Sequence, residues 1–124
     1  MTALVLDRQV AEVVAQRSGL SVHNLQDGTH MLRYPTTLGS GWSKPAVQVS
    51  FVLPLSYPAA QPDCFFTEPD LRLITGAMPA NTGIQQLDGA PLLWFSWHLT
   101  AWSPQRDDLN TYIRFVESRL HDCR

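Results

Sequence analysis

Residues 46–69 read AVQVSFVLPLSYPAAQPDCFFTEP, and this stretch decides the fold that we expect for the chain. Its first part alternates apolar with polar residues, which predicts a half-buried strand over 46–52. The residues expected on the buried face are Val47, Val49 and Phe51. The second part, Pro54 to Pro69, is dense in proline and resists regular ladders. We therefore expect a stiff, irregular layer there, with a short strand at Cys64–Thr67 inside it.

The sequence before this stretch predicts a helix and two strands. Asp7–Arg17 has helical spacing and is followed by Ser18-Gly19 as a stop signal. Leu20 to Leu38 consists of short segments, which predicts two strands joined by a turn near Gln26–Gly28. The apolar face expected for the helix consists of Val10, Val13, Val14 and the stem of Arg17.

The sequence after it predicts a long loop, an extended segment and a second helix. Thr75 to Pro91 is rich in glycine, proline and asparagine, and we expect a long, irregular binding or mobile loop. Leu92–Leu99 is expected to be extended, and Pro104 to begin the best amphipathic helix of the chain. The stripe of that helix is Leu109, Tyr112, Ile113, Val116 and Leu120.

Together these elements predict an α+β fold in a single domain covering residues 1–124. Terminal helices would cover a largely antiparallel β-meander of about four strands, with a proline-rich flap and a long loop. A chain of 124 residues that is 44% apolar can bury one small core.

Composition also argues against several classes of function. Nine basic residues against eleven acidic ones give a net charge of −2, which is unfavourable for nucleic-acid binding. No apolar run approaches the roughly 20 residues needed to span a bilayer, and the start lacks a signal-peptide pattern, so we expect a cytoplasmic protein. Cys64 and Cys123 are far apart in the sequence and outside any cluster of metal-ligand residues, so we expect no metal site and no cofactor. A disulfide between them is disfavoured by the expected cytoplasmic location and by the terminal position of Cys123.

The segment Trp94-Phe-Ser-Trp-His98 is the strongest candidate for chemistry. In an extended segment alternate side chains share a face, so Ser96 and His98 would be neighbours. An imidazole within hydrogen-bond reach of a hydroxyl can act as its base, and a carboxylate behind the ring would orient it; Asp107 and Asp108 are the candidates. The alternative is an ordinary hydrogen-bonded pair. Cys64 is a second potential nucleophile, although a cysteine beside two phenylalanines is more typical of packing.

Two groups of motifs resemble the ubiquitin-conjugating enzyme superfamily. Tyr57-Pro58, Pro62 and Phe66–Asp70 are similar to that family's proline-rich flap and the strand that follows it, and Trp102-Ser103-Pro104 is similar to its Trp-Ser-Pro helix start. Together with Pro62-Asp63 and the Ser-x-His segment, they resemble the bacterial branch called prokaryotic ubiquitin-conjugating family E. The likeness runs from Val47 to Leu120. It implies a conjugating-enzyme fold in which Tyr57, Pro58, Asp63, Asp70 and Trp102 support the site.

The sequence departs from the eukaryotic pattern at the catalytic positions. No cysteine lies between Asp70 and Trp102, and the position eight residues before Trp102 is Trp94. Asp70 stands where the family has an asparagine, and a carboxylate repels a developing oxyanion. The resemblance therefore leaves three interpretations. In the first, Ser96 accepts a ubiquitin-like protein from an activating enzyme as an oxyester, with His98 as base and a lysine of an acceptor protein as the final acceptor. In the second, the chain is a catalytically silent adaptor, and in the third, Cys64 carries a thioester.

Overall fold

The computed structural model describes residues 3–124. It contains two helices and one six-stranded sheet, with side chains described from Val5 onward. The elements are α1 (Ala3–Gln16), β1 (Ser21–Asn24), β2 (His30–Thr37), β3 (Ala46–Leu53), β4 (Phe65–Thr67), β5 (Thr82–Leu87), β6 (Ala90–Phe95) and α2 (Leu109–His121). The expectation that the start lacks a signal peptide includes Met1 and Thr2, which lie outside the described residues. Over residues 3–124 neither helix is long and apolar enough to cross a membrane.

All strand pairs of the sheet are antiparallel, in the order β1-β2-β3-β4-β6-β5. The α+β class is confirmed, but the expected number of about four strands is too low. The difference comes from residues 75–91, where the sequence predicted an irregular loop. That prediction is wrong: β5 forms there and pairs with β6 through a two-residue turn, Asp88-Gly89, in which both residues have positive φ.

The β3 prediction is confirmed, because its alternating residues all face the core. Val47, Val49 and Phe51 are at most 3% exposed. They join a single core cluster to which both helices contribute, so the helices cover the same face of the sheet. From α2 the whole predicted stripe, Leu109 to Leu120, is buried.

The first helix differs from its predicted amphipathic pattern. Val13 is buried, but Val14 is 45% exposed, and the polar Gln9 is buried instead. The Gln9 Oε1 atom accepts hydrogen bonds from the Tyr57 hydroxyl at 2.5 Å and the Leu109 backbone N–H at 3.3 Å. A buried amide is stable only when it is satisfied, and here it joins α1, the flap and the start of α2.

The second helix begins five residues later than Pro104 suggested. Asp108 is its N-cap: the carboxylate accepts from Thr111 N–H at 3.1 Å, while the Thr111 hydroxyl accepts from Asp108 N–H. Asp107 accepts from Ser103 N–H at 2.7 Å and closes the preceding turn. Asp108 therefore caps the start of the helix, and Asp107 lies in the turn before it.

We expect Asp108→Ala to lower the free energy of unfolding by about 1 kcal/mol, because the capping carboxylate is lost. Asp108→Asn is the matched control and should retain most of the stability, since an asparagine amide oxygen can also cap. Urea unfolding followed by circular dichroism measures both variants. Equal stability of Asp108→Ala and the unaltered chain would contradict the capping role.

Candidate functional site

Both potential nucleophiles lie at the same end of the sheet. In the ladder between β4 and β6, Phe65 pairs with Phe95 and Phe66 with Trp94. One further step along that register puts Cys64 opposite Ser96. Phe65 and Phe95 face the core, so Cys64 and Ser96 lie on the other face of the sheet, where both are partly exposed.

Ser96 is held by its backbone at the point where β6 ends. Its N–H donates to the Asn81 carbonyl at 2.9 Å, which continues the β5–β6 ladder by one residue. The chain then leaves the sheet, so the alternation that the sequence suggested for Ser96 and His98 does not extend to His98. Among residues 3–124, no hydrogen bond joins the Ser96 hydroxyl to the His98 ring.

His98 is paired with Asp63 on the flap. Its Nδ1 atom lies 2.9 Å from the Asp63 carboxylate and 2.5 Å from the Asp63 backbone carbonyl, and both side chains are at least half exposed. When Nδ1 donates to Asp63, the neutral ring keeps Nε2 as an acceptor. The orienting carboxylate for His98 is therefore Asp63 and not Asp107 or Asp108, which are engaged at the start of α2.

The flap and the segment after β6 are tied together by two further sets of hydrogen bonds, both to residues that follow His98. The Gln61 side chain makes a reciprocal pair with the Leu99 backbone, at 2.9 and 3.2 Å. The Trp102 indole donates to the Pro58 carbonyl at 2.8 Å, and its ring packs against Tyr57. Because Tyr57 is fully buried, burial raises the pKa of its hydroxyl well above the ordinary range. Tyr57, Pro58 and Trp102 thus join the flap to the segment that follows His98.

Asp70 lies away from this cluster. It follows the far end of β4, since Thr67 pairs with Leu93, while Cys64 precedes the near end. Its carboxylate forms an exposed ion pair with Lys44 at 2.9 Å, and the hydrogen bond from Lys44 lowers the pKa of Asp70. Asp70 therefore does not lie with Cys64 and Ser96 at the near end of β4.

Cys64 is a poor nucleophile at neutral pH in this position. Burial raises the pKa of its thiol, and a hydrogen bond from the Trp94 side chain opposes the effect only in part. Among the described residues, Cys64 and Cys123 are both free thiols. The thiolate that a thioester carrier needs is therefore scarce at Cys64.

Sequence reasoning missed two residues around Ser96. Asn81 has a left-handed backbone (φ 60°) and is exposed, and its backbone carbonyl pairs with the Ser96 N–H. Arg119 is only 1% exposed, and its guanidinium lies 5.3 Å from the Phe95 ring centroid and 5.5 Å from that of Trp97. Its Nη2 donates to the Ala80 carbonyl at 2.9 Å, which holds the residue next to Asn81. Asn81 lay inside a segment predicted to be a loop, and nothing in the α2 pattern indicated that Arg119 turns inward, so the sequence carried no signal for either residue.

The family model for prokaryotic E2 family E matches residues 10–123, a range that contains Asp63, Cys64, Ser96 and His98. The chain belongs to prokaryotic E2 family E. No curated protein and no solved structure matches it. Membership gives the chain a conjugating-enzyme-like role in a ubiquitin-like pathway, with a ubiquitin-like protein and an activating enzyme as its general classes of partner.

The raised pKa of Cys64 predicts slow alkylation. In a Cys123→Ser variant, the rate of reaction with iodoacetamide should reach half its maximum at a pH above that of free cysteine, about 8.5, because burial disfavours the thiolate. Mass spectrometry across a pH series measures the rate. Cys64→Ser, which leaves only the exposed Cys123, is the control. A midpoint below that of free cysteine would instead identify Cys64 as an activated thiol.

Proposed function

We propose that this family-E chain carries its ubiquitin-like protein as an oxyester on Ser96 and passes it to a lysine amine. The observation that carries the proposal is the pairing of His98, two residues after Ser96, with Asp63, which precedes the residue opposite Ser96 in the β4–β6 register. A carboxylate that contacts Nδ1 orients an imidazole and favours protonation at Nε2 as the reaction proceeds, which is what a general base requires.

The proposed transfer has two chemical steps. Ser96 Oγ attacks the C-terminal carbonyl carbon of the ubiquitin-like protein, its hydroxyl proton passes to His98 Nε2, and the bond to the activating enzyme's leaving group breaks as that group takes up the proton. In the second step a neutral lysine amine attacks the ester carbonyl, an amide forms, and Ser96 Oγ leaves with the proton that the amine releases. The ring of His98 relays a proton in each step and ends unchanged.

The surroundings of Ser96 support this chemistry in two ways. The residue paired with Ser96 across the ladder, Asn81, carries no charge that would repel a developing oxyanion, whereas the carboxylate of Asp70 is held by Lys44 beyond the far end of β4. The exposure of Asp63 and His98 leaves the site open to macromolecular partners. In a structure without a bound partner, a Ser–His hydrogen bond is often long, and it shortens only in the reacting complex.

The missing hydrogen bond between Ser96 and His98, together with the raised pKa of Cys64, favours a second candidate function. In that function the chain is a silent adaptor that binds the ubiquitin-like protein or its activating enzyme. The two functions differ in one observable, a covalent adduct on this chain.

Intact-protein mass spectrometry tests the oxyester directly. The chain is mixed with ATP and with the activating enzyme and ubiquitin-like protein from its own gene neighbourhood, and the adduct is located by peptide mapping. We expect an adduct on Ser96 that resists thiol reductant, is cleaved by hydroxylamine, and is lost in Ser96→Ala but kept in Cys64→Ser. A reductant-labile adduct on Cys64 would overturn the serine assignment, and binding with no adduct would favour the adaptor.

Substitution of His98 or Asp63 should change the rate of adduct formation and leave non-covalent binding unchanged. We expect His98→Ala to slow the formation of the Ser96 adduct by at least about 100-fold, the usual contribution of a general base. Asp63→Asn should slow it less, since the backbone carbonyl of Asp63 still contacts Nδ1. Single-turnover kinetics measures the rate, and isothermal titration with the unactivated ubiquitin-like protein is the binding control. An unchanged rate in His98→Ala would make His98 a structural residue.

A further inference from the structure

The outer edge of β5 is an unpaired strand edge that begins beside the candidate nucleophile. In the sheet formed by residues 3–124, β5 is the last strand on its side and pairs with β6 alone. The residue before β5, Asn81, accepts the N–H of Ser96. A peptide that lies along this edge is therefore directed at Ser96.

The register tells which backbone groups of β5 point outward. In an antiparallel pair, hydrogen-bonded and non-hydrogen-bonded residue pairs alternate. Asn81 and Ser96 are hydrogen-bonded, so Gly83 and Gln85 are bonded to β6 as well, while Thr82, Ile84 and Gln86 direct their N–H and C=O groups to the free edge. The same parity places Pro91, which has no N–H, opposite Gln86 at a non-bonded position.

This edge has none of the features by which proteins usually protect an edge strand. Its six residues, TGIQQL, contain no charge, no proline and no bulge. Ile84 is 50% exposed, and no strand formed by residues 3–124 pairs with this edge. The opposite edge, β1, is protected by its short length of four residues. Gly83, on the face that carries Ser96, has no side chain to obstruct a passing chain.

We infer that the free edge of β5 binds the extended C-terminal tail of the ubiquitin-like protein as an added antiparallel strand. The inference rests on the proposed function, because a carboxyl group that must reach Ser96 has to stand at the end of an extended segment. β5 runs away from Ser96, so a tail that runs toward Ser96 is antiparallel to it, the orientation that two-strand pairing favours.

The distances suit this arrangement. A strand added to β5 lies two strand spacings, about 10 Å, from β6. The last three residues of a tail, at about 3.3 Å each, can cross from the edge of β5 over Asn81 to Ser96. The residues before them would pair with Ile84 and Gln86, which provide the backbone donors and acceptors.

Proline substitution at the outward-facing positions tests the inference without breaking the sheet. Ile84→Pro and Gln86→Pro remove only N–H groups that point away from β6, whereas Ile84→Ala and Gln86→Ala shorten the same side chains and keep the donors. Each proline should weaken binding by about fivefold through the loss of one ladder hydrogen bond, and each alanine variant should bind within about twofold of the unaltered chain. Equal thermal midpoints for each pair of variants show that the fold is kept.

The probe is a synthetic peptide of the last ten residues of the ubiquitin-like protein, titrated into labelled protein and followed by amide NMR. We expect the N–H signals of Thr82, Ile84 and Gln86 to shift and to become protected from exchange. The peptide is not activated, so this result does not depend on adduct formation. Shifts on β5, together with no Ser96 adduct in the mass-spectrometry assay, would support binding at the edge and overturn the oxyester. An adduct that forms equally fast in the proline variants would overturn the edge alone. Concentration-dependent shifts on β5 without peptide would identify a second copy of this chain as the occupant and would also overturn it.

Discussion

The three-residue strand β4 is the constraint on which the rest of the structure depends. Within the sheet formed by residues 3–124, it is the strand that joins the β1–β2–β3 meander to the β6–β5 hairpin, and it pairs with Ser50 on one side and with Leu93–Phe95 on the other. Side chains alternate between the two faces of the sheet here: Phe65 faces the core, and Cys64, the residue before β4, faces the opposite side. A shift of one residue in this register would exchange the two faces and move Ser96 into the core.

The candidate site follows from that register together with the ties between the flap and the segment after β6. The reciprocal bonds of Gln61 with Leu99 set this segment against the flap, and His98 meets Asp63 as a result. On the other side of Ser96, Arg119 holds the Ala80 carbonyl and stacks on Trp97. Ser96 is thus held between two supports that come from distant parts of the chain. This arrangement suits group transfer, in which the acyl carbon must meet the hydroxyl in a defined position.

Much of the fold could be predicted from local patterns. The alternation of Val47, Val49 and Phe51 identified the central strand, and the stripe from Leu109 to Leu120 identified the second helix. The hairpin of β5 and β6 could not be found in this way, because its polar, glycine-containing sequence is typical of a loop and becomes a strand only when β6 pairs with it. The buried Gln9 was missed for a similar reason, since its partners Tyr57 and Leu109 are 48 and 100 residues away.

The sequence by itself determined the fold class, the buried face of the second helix, the family and the residue types available for chemistry: two hydroxyl or thiol nucleophiles, one nearby histidine and several carboxylates. Local periodicity and motif order carry that information. Only the tertiary structure decided which carboxylate meets His98, that Asp70 and Asp108 serve elsewhere, and that Ser96, Cys64 and Asn81 lie side by side at one end of the sheet. Those facts depend on strand order and register, which arise from contacts between residues far apart in the chain and have no local signal.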